Sequence, residues 1–158
     1  MAITVHDGVF VGLGADTYKF AGSVLHCARD PWFMTALSGK VNLWRSPGCS
    51  SGPTNVIRQS YNELALNMVD AADPKYFSDE MVNAGLEFIT ERLAEGDAVL
   101  VHCNMGISRS PSMALLWMFE HGFLDPEFRY ALPQFKRIYP DYCPGPGVFN
   151  YLKRRCEK

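Results

Sequence analysis

The sequence has no C-x-x-C pair, no run of like charge, no internal repeat and no low-complexity tract. Its five cysteines stand singly at Cys27, Cys49, Cys103, Cys143 and Cys156, which excludes a zinc ribbon or a disulfide scaffold, since both need tight paired spacing. Fifteen basic against seventeen acidic residues leave a net charge of -2, so the chain is not built to coat nucleic acid and no nucleic-acid partner is expected. The longest apolar runs, such as Met113 to Phe119, fall far short of a membrane span, and no membrane association is expected. Met1 to Asp7 carry neither a basic start nor a long apolar stretch, so no signal peptide is read there and a reducing cytoplasm is the default compartment. In such a compartment an isolated cysteine matters only if it is reactive. A monomer is the default assembly.

What remains is a globular composition. Apolar residues make up 47% of the chain and charged residues 20%, which excludes disorder and collagen-like repeats. A length of 158 residues suits one well-packed domain, and residues 1–158 are read as a single unit. The only loop-like shift in composition, Ser46 to Pro53, is too short for a linker and reads as an excursion between strands.

The N-terminal part holds short β-type runs at Gly8 to Val11, Ser23 to Leu25, Val41 to Leu43 and Leu64 to Val69. Gly12-Leu13-Gly14 reads as a turn, because position 17 is Thr and no Gly-Lys-Ser/Thr follows. From residue 78 the pattern becomes helical: Ser78 can cap, Asp79 and Glu80 favour a first turn, and Val82, Leu86, Ile89 and Leu93 form a stripe that Gly96 ends. Asp97 to Val101 is a buried strand, and Pro111 opens an apolar helix over Ser112 to His121. Asp125-Pro126-Glu127 starts another helix, which Pro133 bends or shortens. Strands giving way to alternating helix, strand and helix predict an α/β fold.

Between that buried strand and the apolar helix lies His102-Cys103-Asn104-Met105-Gly106-Ile107-Ser108-Arg109-Ser110-Pro111. A loop of this length at a helix N-terminus can turn successive N–H groups toward one anion, with the Cys103 sulfur beneath it. Gly106 permits a backbone angle other residues resist, and Arg109 offers a fork matched to two phosphate oxygens. A helix N-terminus and a guanidinium both favour the anionic form of a thiol, so Cys103 is expected to attack phosphorus without a separate base. Ser110 can donate to that thiolate and ease its later departure, while His102 orders the loop from behind. Phosphate is then held by Asn104, Met105, Gly106, Ile107, Ser108 and Arg109.

The spacing of His102, Cys103, Gly106, Arg109 and Ser110 resembles the signature of the cysteine-dependent protein tyrosine phosphatase superfamily, which chance gives on the order of once in 10⁴ chains this long. Within it the chain looks most like the small dual-specificity phosphatases. Gly8 to Gly12 looks like their opening strand, and Phe88-Ile89 like the helix before the catalytic strand; Asp30 to Tyr61 is the least familiar stretch. The resemblance implies a central, mostly parallel twisted sheet flanked by helices, with the phosphate-binding loop between a central strand and a helix. It implies hydrolysis of phosphotyrosine and phosphoserine or phosphothreonine through a phosphocysteine, on phosphorylated protein substrates, with no cofactor and no metal.

It also implies a general acid, an Asp about thirty residues ahead of the cysteine. Asp70, 33 residues before Cys103 and directly after an apolar strand, is favoured; Asp73, 30 residues before it, is the alternative. Tyr139 to Phe149 departs from the family's pattern, with no Asn after a Pro and with Tyr139 where the family often carries an arginine; Lys136 and Arg137 lie close by. Lipid-directed relatives usually place lysines in this loop, and residues 104–108 carry no charge, so the resemblance implies phosphoprotein rather than polyphosphoinositide. The alternatives are the same chemistry on a phosphoinositide or an RNA 5′-phosphate, and a phospho-residue binding module without catalysis. A thiol-redox or sulfur-transfer role would need neither Arg109 nor an acid.

Overall fold

The computed structural model describes residues 1–39 and 55–158; Cys49 and the segments Val41 to Leu43 and Ser46 to Pro53 lie outside them. The described residues form six strands: β1 (Ile3–His6), β2 (Val9–Leu13), β3 (Ser23–His26), β4 (Val56–Ser60), β5 (Glu63–Leu66) and β6 (Val99–Cys103). Their five α-helices are α1 (Met34–Gly39), α2 (Asp79–Ala94), α3 (Arg109–Glu120), α4 (Phe128–Ile138) and α5 (Pro146–Cys156). The sheet runs in the order β1-β2-β6-β3-β5-β4. Its middle strands β2, β6, β3 and β5 are mutually parallel, and antiparallel β1 and β4 close the two edges. This is the α/β architecture expected from the alternation of elements.

Strand β6 explains the arrangement. All five of its residues are buried, as a strand covered on both faces requires, and it pairs with β2 on one side and β3 on the other. Side-chain alternation then sorts the sheet into two faces. Val101, Cys103, Leu25, Leu64, Leu66 and Val56 join the main core beneath α2 and α3. Ile57 and Ala65 point the other way and pack with Phe33 and Ala36, just before and within α1. His26 and His102, one register step from Leu25 and Val101, share that second face.

Helix α2 forms as its sequence dictates: the Ser78 hydroxyl accepts from Met81 N at 3.3 Å, acidic residues fill the first turn, and Met81, Val82, Leu86, Phe88 and Ile89 are buried. Gly85 lets it approach closely, since a Cβ there would sit 2.6 Å from Met113 Cε and 3.0 Å from Leu66 Cδ1. Helix α3 begins at Arg109, two residues before the expected Pro111 start, so Arg109 and Ser110 occupy its first turn. Strand β6 is likewise shifted two residues along from the expected span and delivers Cys103 at its end. The strand expected to run to Val69 stops at Leu66, where Met68 N turns back to Leu66 O at 2.8 Å. Pro133 is accommodated inside α4.

Ile89 is fully buried between α2 and the sheet core. Ile89→Ala is expected to destabilise the protein by about 2–5 kcal/mol, read as a lower denaturation midpoint with an unchanged slope in urea.

Candidate active site

The run from His102 to Ser110 sits where a central strand ends and a helix begins, at the carboxyl end of the parallel strands. Gly106 adopts φ +70°, and a Cβ on it would lie 2.9 Å from the Gly12 carbonyl oxygen, so the turn requires glycine. Among the described residues, none of the amides of Met105, Gly106, Ile107 and Ser108 donates to a protein acceptor. Cys103 is buried at the base of the loop, and the Ser110 hydroxyl donates to its Sγ at 3.2 Å. Arg109 donates from Nη1 to the Met68 carbonyl at 2.8 Å, while its Nε is buried without a partner among the described residues. Asn104, Met105 and Ile107 are exposed at the rim; Gly106 and Ser108 are buried. Gly12, by contrast, lies within β2, and Gly14 opens a short 3₁₀ turn over Gly14–Tyr18.

Three elements brace this loop. The Tyr139 hydroxyl donates to the Gly106 carbonyl at 2.6 Å, and Cys143 N donates to the Ile107 carbonyl at 2.8 Å. Burial, reinforced by the charge of Cys103, pushes the Tyr139 phenol up to about 12, which keeps it a donor. Gly145 N donates to Ser108 Oγ at 2.9 Å, and Ser108 Oγ in turn donates to Asp70 Oδ1 at 3.1 Å. Asp70 is thereby tied to the loop although it is exposed. Gly145 leaves room for the Asp70 carboxylate, which a Cβ there, 2.6 Å from Asp70 Oδ1, would displace. Asp73 is employed elsewhere: its Oδ1 accepts from Lys75 N at 2.9 Å and caps the short turn Pro74–Tyr76. Lys136 and Arg137 are exposed near the end of α4.

Behind the loop, on the opposite face of the sheet, His102 Nε2 lies 2.6 Å from His26 Nδ1, and His26 Nε2 lies 2.7 Å from Glu63 Oε1. His102 Nδ1 faces the Cys103 carbonyl oxygen at 3.4 Å. The Trp32 ring packs edge-on against His102 at 4.6 Å between centroids. Burial, and then the neighbouring His26, pull the His102 imidazole down to about 3, and burial lowers His26 against the opposing pull of Glu63. Both rings are therefore neutral near pH 7. The sequence reading did not single out His26, Glu63 or Trp32. The one local signal was a histidine directly after the apolar run Ser23 to Leu25, at a position a buried strand normally gives to an apolar side chain. Cys27 follows it, fully buried, with its thiol pushed well up by burial; Cys143 is exposed and Cys156 half-buried.

Among the described residues no cluster of three or more His, Cys, Asp or Glu side chains could hold a metal ion, and no helix is long and apolar enough to cross a membrane.

No family model matches the chain. Its sequence is 35% identical over 71 residues to mouse dual specificity protein phosphatase 19, covering 42% of this chain and 30% of that protein. It is 30% identical over 102 residues to the Drosophila melanogaster dual specificity protein phosphatase MPK-4, covering 64% of this chain and 25% of that protein. The chain thus spans about a third or less of the curated relatives it matches. Among solved structures, human DUSP28 superposes with a TM-score of 0.63 at 19% identity, over 99% of this chain and 93% of that one. DUSP15 gives a TM-score of 0.67 at 18% identity, over 98% of this chain and 86% of that one. At these identities the structural likeness shows the fold, and the sequence matches make part of the chain similar to dual-specificity phosphatases.

Proposed function

We propose that the protein is a cysteine-dependent phosphatase that hydrolyses phosphate monoesters on proteins, through a phosphocysteine intermediate. One observation carries the reading: the Ser110 hydroxyl donates to Cys103 Sγ at 3.2 Å in the first turn of a helix that starts at Arg109. In the first step the Cys103 thiolate attacks phosphorus, the S–P bond forms and the P–O bond to the substrate breaks. Arg109, through its unpartnered Nε, and the loop amides of residues 104–109 hold the equatorial oxygens. Asp70 gives its proton to the leaving oxygen. In the second step Asp70 takes a proton from water, which attacks phosphorus; the S–P bond breaks, and Ser110 stabilises the departing thiolate.

Asp70 suits the acid role better than Asp73, because it hangs over the loop through Ser108 while Asp73 is spent on capping a turn. His102 supports the loop from behind rather than carrying charge to it. The rim side chains Asn104, Met105 and Ile107 carry no charge, which favours phosphotyrosine and phosphoserine or phosphothreonine in proteins over polyphosphoinositide or RNA 5′-phosphate. A nucleophilic thiolate is lost on oxidation, which favours a reducing compartment such as the cytoplasm.

Cys103→Ser is expected to abolish hydrolysis of an aryl phosphate while leaving phosphate binding in place, measured as turnover and as protection by inorganic phosphate. Wild-type turnover in that variant overturns the mechanism. Asp70→Ala is expected to lower kcat on a phosphotyrosine peptide by about 10²–10⁴, with Asp73→Ala close to wild type. Running phosphothreonine peptide, phosphoinositide and 5′-phosphorylated RNA beside it tests the substrate class; a loss carried by Asp73→Ala instead moves the acid to that residue.

A further inference from the structure

We propose that Glu63, His26 and His102 form a proton-linked chain that decides whether His102 donates to the Cys103 carbonyl or opposes it. Glu63 and His26 are thereby positioning residues for the nucleophile loop. The chain itself stands on geometry alone; only its effect on phosphate handling rests on the phosphatase reading above.

There are three contacts, Glu63–His26 at 2.7 Å, His26–His102 at 2.6 Å and His102–Cys103 O at 3.4 Å, and each needs one proton. A carbonyl oxygen cannot donate, so the third contact is a hydrogen bond only with the proton on His102 Nδ1. A neutral His102 then accepts at Nε2, so His26 Nδ1 must carry the second proton. The third proton must lie between His26 Nε2 and Glu63. All three bonds therefore require one proton more than two neutral imidazoles and a carboxylate possess.

Without that extra proton one contact fails, and its identity follows from the relative strengths. The carboxylate at 2.7 Å is a charged acceptor, whereas the carbonyl at 3.4 Å is neutral and distant. His26 therefore turns its proton to Nε2 and Glu63, and His102 turns its own to Nε2 and His26. A lone pair on His102 Nδ1 is left facing the Cys103 oxygen. Gain of one proton at the half-exposed Glu63 end reverses both tautomers without charging His102. The Cys103 carbonyl belongs to the same peptide unit as the Asn104 amide, so a donor on that oxygen strengthens the amide that opens the phosphate loop.

The groups that bear on the imidazole pair are few among the described residues. Glu63 reaches it from β5, Cys103 from β6, Asp16 from the Gly14–Tyr18 turn and Arg109 from α3. Asp16 is held by Leu13 N and Arg109 by the Met68 carbonyl, so among these charged side chains only Glu63 makes a direct bond to a ring, while Cys103 contributes its carbonyl.

The decisive variant is Glu63→Gln, which is isosteric at a half-exposed site. A carboxamide donates to His26 Nε2 through its NH₂ group, satisfying all three contacts with no extra proton. Long-range proton–nitrogen correlation spectra of the imidazoles, taken between about pH 5 and about pH 9, read the tautomers directly. In the wild type the His102 proton is expected to move from Nδ1 to Nε2 as pH rises; in Glu63→Gln it is expected to stay on Nδ1. At the upper end of the range inorganic phosphate should bind Glu63→Gln roughly two- to tenfold more tightly than wild type, the difference closing at the lower end. A His102 proton fixed on one nitrogen throughout in the wild type, or a tautomer shift that persists in Glu63→Gln, overturns the chain. Equal phosphate affinities at high pH overturn its link to the loop. Because the spectra need no turnover, a protein without phosphatase activity that still shows the shift rejects the phosphatase reading and keeps the chain.

Discussion

The structure depends on one constraint: β6 is flanked by parallel strands on both sides, buried along its length, and must leave the sheet at Cys103. A strand in that position has no exposed edge, so the chain can only turn up and over the sheet into a helix. The turn brings the backbone against the Gly12 carbonyl of β2, which leaves room for glycine alone at residue 106. From that junction follow the buried thiol, a helix N-terminus above it and an arginine in the first turn. The sulfur and the unpartnered loop amides are thus products of the same packing, and neither could be moved without repacking the centre of the sheet.

The same strand has a second face, and alternation sends His102 through the sheet to the side away from Cys103. There it meets His26 of β3, whose own register partner is His102, and beyond that Glu63 at the head of β5. The core face and the polar face are therefore set by one register. A one-residue slip of β6 would exchange them, placing the sulfur beside His26, and His102 in the apolar core.

How much of this could be read from the sequence follows from where the signals lie. The loop and its neighbours are contiguous, and a fixed local spacing at a strand–helix junction is a local property; so is the capped, striped helix α2, which formed as its pattern indicates. Asp70 could be proposed because it follows an apolar run directly, although its tether to Ser108 could not, since that bond joins residues 38 apart. His26 and Glu63 were not legible for the same reason: they acquire meaning only through lateral pairing of β3, β5 and β6, which spans 76 residues between His26 and His102. Strands β1 and β4 went unread because edge strands of four or five half-exposed residues carry little periodicity. Helix α5 was hidden by its Pro-Gly start, which reads as loop although Pro146 stands at the helix's first position.

Burial also determines what kind of influence the rear chain exerts. A protonated imidazole behind Cys103 would add positive charge to the loop, but enclosure by the sheet and Trp32, followed by the repulsion of His26, holds His102 neutral down to about pH 3. Positive potential at the sulfur is left to Arg109, the loop amides and the helix terminus, all of which lie on the Cys103 side of the sheet. What the rear chain can still change is the direction of a hydrogen bond. A direction changes without moving net charge through the core, and so avoids the several kcal/mol that charging a buried ring costs. The end of the chain that reaches water is Glu63, with a side chain 40% exposed against 4% for His26.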